Sequence, residues 1–231
     1  MNAMTPGLTR AALGSGRLAS AGAVSVCLVA RYLWGAGWVE PTNFFAYLTI
    51  QSNIAFAVVA AIGGVLALRS GPDHPRLDVA RVAVLTFVVT AGIVFALIVQ
   101  QGGVRGLRID VPWSDVGLHF VLPLFAILDW AVSPRRRRVS WSVLAGIVGY
   151  PVVWGVITMI RGPIVDWYPY YFLDPNQVGD PLEFAALSGA ALLVFLAVGA
   201  ALVAVAPLPL GRATPRTVRA SPAALAPARR R

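Results

Sequence analysis

The 231-residue chain contains no lysine, a single cysteine and only two histidines. The lone Cys27 excludes a disulfide within the chain and any metal site built from several cysteines. The histidines, His74 and His119, lie far apart, and the sequence has no HExxH, GxSxG or P-loop motif. These absences exclude the usual zinc-protease, α/β-hydrolase and NTPase signatures. We therefore predict neither a bound metal nor an organic cofactor.

Charge is also scarce, because only 13% of the residues are charged, against roughly 25% in soluble proteins. Hydrophobic residues reach 58%, a share that a soluble globule could not bury and a disordered chain would not contain. The sequence therefore predicts an all-α, polytopic membrane protein. The net charge of +9 comes from arginines that lie in short clusters between apolar runs. This pattern indicates membrane topology and no nucleic-acid partner.

Six apolar stretches reach the length of about 20 residues that a helix needs to cross a bilayer. They cover approximately residues 18–38, 44–68, 79–99, 113–132, 139–160 and 182–205. We predict six transmembrane helices in one domain, residues 1–206. The first stretch is longer than the apolar core of a signal peptide, so we expect it to be retained. Residues 207–231, rich in arginine, proline and alanine, are expected to form a disordered cytoplasmic tail.

The distribution of arginine predicts how these helices are oriented. Most of the 19 arginines lie in the N-terminal arm, the second-to-third loop, the fourth-to-fifth loop and the tail. The alternate loops hold only Arg105, Arg108 and Arg161. Because basic residues concentrate on the cytoplasmic side, both termini are predicted to be cytoplasmic, in a protein of the plasma (inner) membrane.

Three polar side chains are predicted to lie at one depth in the outer half of the membrane. Counted from the outer end of each predicted helix, Arg31, Thr49 and His119 lie about 8–10 Å inside, at 1.5 Å per residue. Ionisable residues within a membrane span are energetically expensive and usually have a role. The first, second and fourth helices are therefore expected to line a polar site.

The second predicted helix carries the densest polar run. Thr49, Ser52 and Asn53 are three and four residues apart, so they share one helix face. A threonine hydroxyl becomes a useful nucleophile when a neighbouring base takes its proton. We interpret Thr49 as a candidate nucleophile, with Ser52 and Asn53 as candidate donors to an oxyanion.

The fourth predicted helix supplies the candidate base, His119. Asp115 precedes it by one turn on the same face and could hold the imidazole tautomer, as the aspartate of a catalytic triad does. Arg31 could hold the carboxylate of a fatty acid. The sequence favours an integral membrane hydrolase of lipid-like esters, with membrane lipids as its surroundings.

Each of these residues also has a structural explanation. A threonine in a membrane helix commonly bonds its own backbone, and a histidine can bond a neighbouring helix. Arg31 can extend outward or pair with Asp115. A second hypothesis is therefore a non-enzymatic membrane protein that binds or transports a small lipophilic molecule or a proton. A third is a subunit whose arginine-rich inner face docks a protein partner.

Three other features have simpler expectations. The aromatic segment 167–175 could form an interfacial belt or a lid over the outer-half site. Asp129 is expected to pair with the arginine run that follows Pro134. His74 is expected to lie in a cytoplasmic loop.

Two short motifs resemble a known family. Residues 47–53, YLTIQSN, and residues 118–123, LHFVLP, resemble the second and fourth helices of a bacterial six-helix family related to the animal androgen-induced gene 1 proteins. The segment YPYYFLD at 168–174 resembles a stretch of the bacterial branch. The animal members are threonine hydrolases of fatty acid esters of hydroxy fatty acids. The resemblance implies that Thr49 is the nucleophile and His119 its partner, although Ile50-Gln51-Ser52 departs from the animal pattern.

Overall fold

The computed structural model describes residues 6–69, 75–104, 106, 109–133 and 137–206, with side chains from residue 10 onward. Within these ranges the chain is helical and contains no strand. Six helices are long and apolar enough to cross a membrane. They are Pro6–Gly35 (α1), Leu48–Leu68 (α2), Pro75–Val104 (α3), Trp113–Val132 (α4), Val143–Val165 (α5) and Pro181–Val205 (α6). The predictions of an all-α fold and of six such helices are confirmed. The predicted tail, residues 207–231, and His74 lie outside the described residues.

Several helix ends differ from the prediction by a few residues or more, and two of these differences bear on the site. Helix α1 ends at Gly35, and a separate short helix, Pro41–Phe44, precedes α2. Pro41 occupies the first turn of that short helix, a position where the missing N–H of proline costs nothing. Thr49 therefore lies in the first turn of α2, rather than five residues inside a continuous helix.

Helix α3 lies at the centre of the bundle, in contact with α2, α4, α5 and α6. One buried cluster fills the space between α1, α2, α3 and α4, and includes Val24, Val88 and Leu118. A second joins α3, α5 and α6 through Val82 and Ile147.

Glycines allow α1 and α2 to pack closely. A Cβ atom on Gly64 would lie 2.9 Å from the carbonyl oxygen of Gly14 and 2.8 Å from Leu18. Small residues at such crossings let two backbones approach, which is the main source of helix association in lipid. This contact places the far end of α1, with Arg31, beside the start of α2.

A buried ion pair joins α1 to α4 at the other end of the bundle. Nε of Arg17 donates to both carboxylate oxygens of Asp129, at 2.9 and 3.0 Å. A second guanidinium nitrogen donates to Ser133 Oγ at 2.6 Å. Asp129 was expected to pair with the arginines after Pro134, but among the described residues it pairs with an arginine of α1. Its partner is Arg17, which the sequence had suggested was part of a cytoplasmic arm but which is buried inside α1.

Replacing Asp129 by asparagine is expected to destabilise the fold by about 3–5 kcal/mol, because Arg17 would keep a buried charge without its counter-ion. Thermal unfolding of the purified chain in detergent measures this effect. The exposed Glu40 offers a matched control. Glu40→Gln also removes an acidic charge, but from an exposed side chain, so it should change the stability little. Equal stability of Asp129→Asn and Glu40→Gln would contradict a stabilising role for the pair.

Candidate functional site

A cavity of about 640 Å³ opens between the helices at the end of the bundle where α1 finishes and α2 begins. This volume lies within the range of sites that hold drug-sized ligands. Most of its wall is aliphatic or aromatic, including Phe87, Phe95 and Phe195. Its polar and ionisable wall residues include Arg31, Tyr47, Thr49, Ser52, Thr90, Asp115, His119, Tyr170 and Ser188. The cavity therefore suits a lipophilic molecule that carries a few polar groups.

Arg31 and Asp115 form an ion pair in this wall. Nε of Arg31 donates to a carboxylate oxygen of Asp115 at 2.9 Å. The two side chains are 19% and 7% exposed, and the guanidinium group also lies 4.7 Å from the centre of the Trp34 ring. Of the two structural explanations for Arg31, the structure shows the pairing with Asp115. Because the arginine charge is already neutralised, any carboxylate ligand would compete with Asp115 for it.

His119 is held by the backbone of α4. Its Nδ1 lies 2.8 Å from the carbonyl oxygen of Asp115. A carbonyl oxygen can only accept a hydrogen bond, so Nδ1 carries the proton and the neutral ring keeps its lone pair on Nε2. The imidazole also stacks on Phe95, with ring centres 3.8 Å apart. The expectation that the Asp115 carboxylate orients the imidazole is corrected: the main-chain carbonyl does so, and the carboxylate pairs with Arg31.

The conformation of α4 around His119 follows from Pro123. Proline has no N–H, so it cannot bond the carbonyl oxygen of the residue four before it, which is His119. The helix widens into a π turn at Gly117–Val121, where the N–H of Leu122 bonds the carbonyl of Gly117. A Cβ atom on Gly92 would collide with the His119 carbonyl, so the glycine lets α3 approach this turn. Turns of this kind occur often at functional sites.

Thr49 faces the same cavity from α2. Its Oγ1 lies 3.3 Å from the hydroxyl of Tyr170. The side chains of Ser52 and Asn53 donate to the carbonyl oxygen of Thr49, each at 2.9 Å. These donors are therefore engaged by the backbone of their own helix. Asn53 is fully buried and is not among the described wall residues of the cavity.

The aromatic segment after α5 lies against the cavity. Pro169, Tyr170, Phe172 and Leu173 contribute to the cavity wall. The Tyr170 ring stacks on Phe172 at 5.5 Å between centres and contacts the rings of Tyr47 and Trp154 at 5.9 and 5.8 Å. The segment thus places the phenol of Tyr170 beside Thr49. The sequence did not predict this contact, because the two residues are 121 positions apart and no spacing rule relates a loop to so distant a helix.

The structure brings five of the six proposed site residues to one cavity. Arg31 comes from α1, Thr49 and Ser52 from α2, and Asp115 and His119 from α4. In the described part of the chain, Thr49 and His119 share no hydrogen bond, because Thr49 bonds Tyr170 and His119 bonds the Asp115 carbonyl. The geometry offers a hydroxyl and an imidazole in the wall of the same apolar cavity.

Among the described residues, no three His, Cys, Asp or Glu side chains lie close enough together to hold a metal ion. Comparisons with protein-family models, with curated proteins and with solved structures found no match to this chain. The geometry of the cavity is therefore the basis for any statement about function.

Proposed function

We propose that this protein is an integral membrane hydrolase of lipid-like esters. Thr49 is the nucleophile and His119 is its general base. The observation that carries this proposal is the shared apolar cavity of about 640 Å³, into which both side chains face. His119 supports the role further, because its Nδ1 proton is engaged by a carbonyl and its Nε2 remains free to accept a proton. Unliganded sites are often looser than the complex with substrate, in which the reacting groups come within hydrogen-bonding distance.

The reaction proceeds through an acyl-enzyme. Oγ1 of Thr49 attacks the ester carbonyl carbon and forms a C–O bond, while the π electrons move onto the carbonyl oxygen. The threonine proton passes to Nε2 of His119. The bond to the alcohol oxygen then breaks, and His119 returns the proton to the departing alcohol. Water, deprotonated by the same imidazole, releases the acid and restores the hydroxyl.

Tyr170 takes the role of oxyanion donor that the sequence assigned to Ser52 and Asn53. In the tetrahedral intermediate, the oxyanion and Oγ1 of Thr49 share one carbon, so a phenol within reach of one oxygen is within reach of the other. Burial raises the pKa of the Tyr170 phenol, which keeps its proton available for donation. The Ser52 and Asn53 donors are already engaged by the Thr49 carbonyl.

Replacing Tyr170 by phenylalanine is expected to lower kcat about 10²-fold, the usual cost of removing one oxyanion donor. The ring and its stacking on Phe172 remain, so KM should change little. The measurement is steady-state hydrolysis of a long-chain ester by the purified chain. Tyr168→Phe is the matched control, since Tyr168 packs against Gly162 and is not part of the described cavity wall. Equal kcat values for the two variants would remove Tyr170 from the mechanism.

The proposal extends to family and location. The resemblance of residues 47–53 and 118–123 to the androgen-induced gene 1 relatives supports the assignment of Thr49 and His119. The six apolar helices support a multi-pass protein, and the arginine distribution supports a plasma-membrane orientation with both termini cytoplasmic. In this orientation the cavity opens toward the outer leaflet, where membrane lipids and a lipid-like substrate have access.

The alternative function is a non-enzymatic protein that binds or moves a small lipophilic molecule or a proton. One observation favours it: Arg31 and Asp115 neutralise each other in the cavity wall, as a structural network would. A fluorophosphonate probe separates the two functions, because it labels only an activated hydroxyl. Labelling of the purified, folded chain supports the hydrolase, whereas ligand binding without labelling supports the alternative.

A further inference from the structure

Two hydroxyl groups in the cavity wall have no hydrogen-bond partner among the described residues. They are Oγ1 of Thr90, on α3, and Oγ of Ser188, on α6. Both atoms are buried, both residues line the cavity, and the whole Thr90 side chain is 0% exposed. A buried hydroxyl that is left without a partner costs free energy, so this pair needs an explanation.

Other hydroxyls in the bundle show the ordinary solution. Thr86 lies one turn before Thr90, and its Oγ1 donates to the carbonyl oxygen of Val82 at 2.8 Å. Ser52 and Ser133 likewise bond carbonyls three and four residues earlier. Such local bonds are the default for serine and threonine in membrane helices. Thr90 and Ser188 leave this bond unmade, although both residues line the cavity.

The wall residues next to Thr90 and Ser188 along their own helices carry no charge. On α3, the nearest wall residues are Phe87, Ala91 and Val94, and on α6, Ala191 and Leu192 follow Ser188. An ionised group placed here without a counter-ion would be strongly disfavoured. An uncharged oxygen, by contrast, could accept a bond from one hydroxyl or both. The chemistry therefore selects a keto, hydroxyl or ether oxygen.

This position is separated from the proposed reaction centre along α3. Phe95, whose ring stacks on His119, follows Thr90 by five residues, which corresponds to about 7.5 Å of helix. A flexible chain that presents an ester to Thr49 and His119 could extend over this distance within the one cavity. Its polar oxygen would then lie a few carbons from the ester.

We propose that Thr90 and Ser188 form a second polar subsite, which binds an uncharged oxygen on the hydrocarbon chain of the ligand. The cavity then prefers lipids whose chain carries a keto, hydroxyl or ether oxygen over lipids with a plain chain. The statement that such a lipid is also an ester rests on the proposed function, whereas the binding preference requires no hydrolysis.

The experiment measures binding with ligands that no hydrolase can cleave. Saturated long-chain hydrocarbons, either unsubstituted or carrying one keto oxygen at successive carbons, compete with a fluorescent fatty-chain probe for the purified full-length protein. In the wild type, one keto position should improve binding roughly tenfold over the plain chain, as expected for a hydrogen bond to a buried, otherwise unsatisfied group. Ester turnover is assayed separately, so the binding result can be interpreted even if the protein does not hydrolyse esters.

The variants are nearly isosteric. Thr90→Val and Ser188→Ala should each remove most of the preference for the keto chain while leaving the affinity for the plain chain within about twofold. Thr86→Val is the matched control, because its hydroxyl bonds the backbone and should leave the preference intact. Absence of any keto preference in the wild type would overturn the subsite, as would equal losses for keto and plain chains in both variants.

Discussion

Replacing Thr49 by alanine is expected to reduce ester hydrolysis at least about 10³-fold while the protein stays folded. Removal of the nucleophile eliminates the acyl-enzyme route, and residual turnover can arise only from binding and from the remaining polar groups. The fold should tolerate the change, because the Thr49 carbonyl still accepts the Ser52 and Asn53 bonds that order the start of α2. Labelling by a fluorophosphonate probe should be lost together with turnover.

Thr49→Ser is the informative companion variant, because it keeps a hydroxyl at the same position and should retain labelling. Thr86→Ala controls for loss of a buried threonine hydroxyl elsewhere, since Thr86 is fully buried and bonded to its own helix. Size-exclusion chromatography in detergent reports whether each variant is folded. Undiminished turnover in folded Thr49→Ala would falsify the assignment of the nucleophile and would favour the non-enzymatic alternative.

Replacing His119 by alanine should reduce kcat about 10²–10⁴-fold, the range for loss of a general base. The effect should fall on kcat more than on KM, because the imidazole acts on the threonine proton in the transition state. The truncation also removes the ring that stacks on Phe95, which leaves a space beside the cavity. Exogenous imidazole should occupy that space and restore part of the activity.

Rescue by imidazole distinguishes a chemical role from a structural one. His119→Gln keeps a side-chain amide that can donate to the Asp115 carbonyl, but it has no base, so it should remain inactive while binding lipophilic ligands normally. A structural histidine would give the reverse pattern, with activity retained in His119→Gln and no response to imidazole. Thr49→Ala should not respond to imidazole in either case.

The helices could be predicted from sequence because their signal is local. A run of about 20 apolar residues must form a helix in lipid, since its backbone has no other way to satisfy its hydrogen bonds. The predicted bounds of the fourth helix coincide with Trp113–Val132. Helix ends were harder to predict, as Pro41–Phe44 shows, because a helix of four residues is too short to give a hydrophobic period.

The partner of a charged residue could be predicted only where few oppositely charged residues were expected at the same depth in the membrane. Arg31 and Asp115 were expected at the same end of the bundle, and the structure joins them. Asp129 was assigned to the nearest arginines in sequence, although its partner is Arg17, 112 residues earlier. Tyr170 was missed for a similar reason, since the path of a loop over a cavity depends on tertiary packing that no local pattern encodes.

The two ion pairs between α1 and α4 restrict how the lengths of these two helices can vary. Arg17 and Arg31 are separated by 14 positions, and so are their partners Asp115 and Asp129. The two arginines of α1 are therefore as far apart along their helix as their two partners are along α4, about 21 Å. A shift of α1 along α4 by one turn would break both ion pairs and leave all four charges without their partners. An insertion or deletion between the two arginines would require a compensating one between the two aspartates, so these two intervening segments are expected to change length only together.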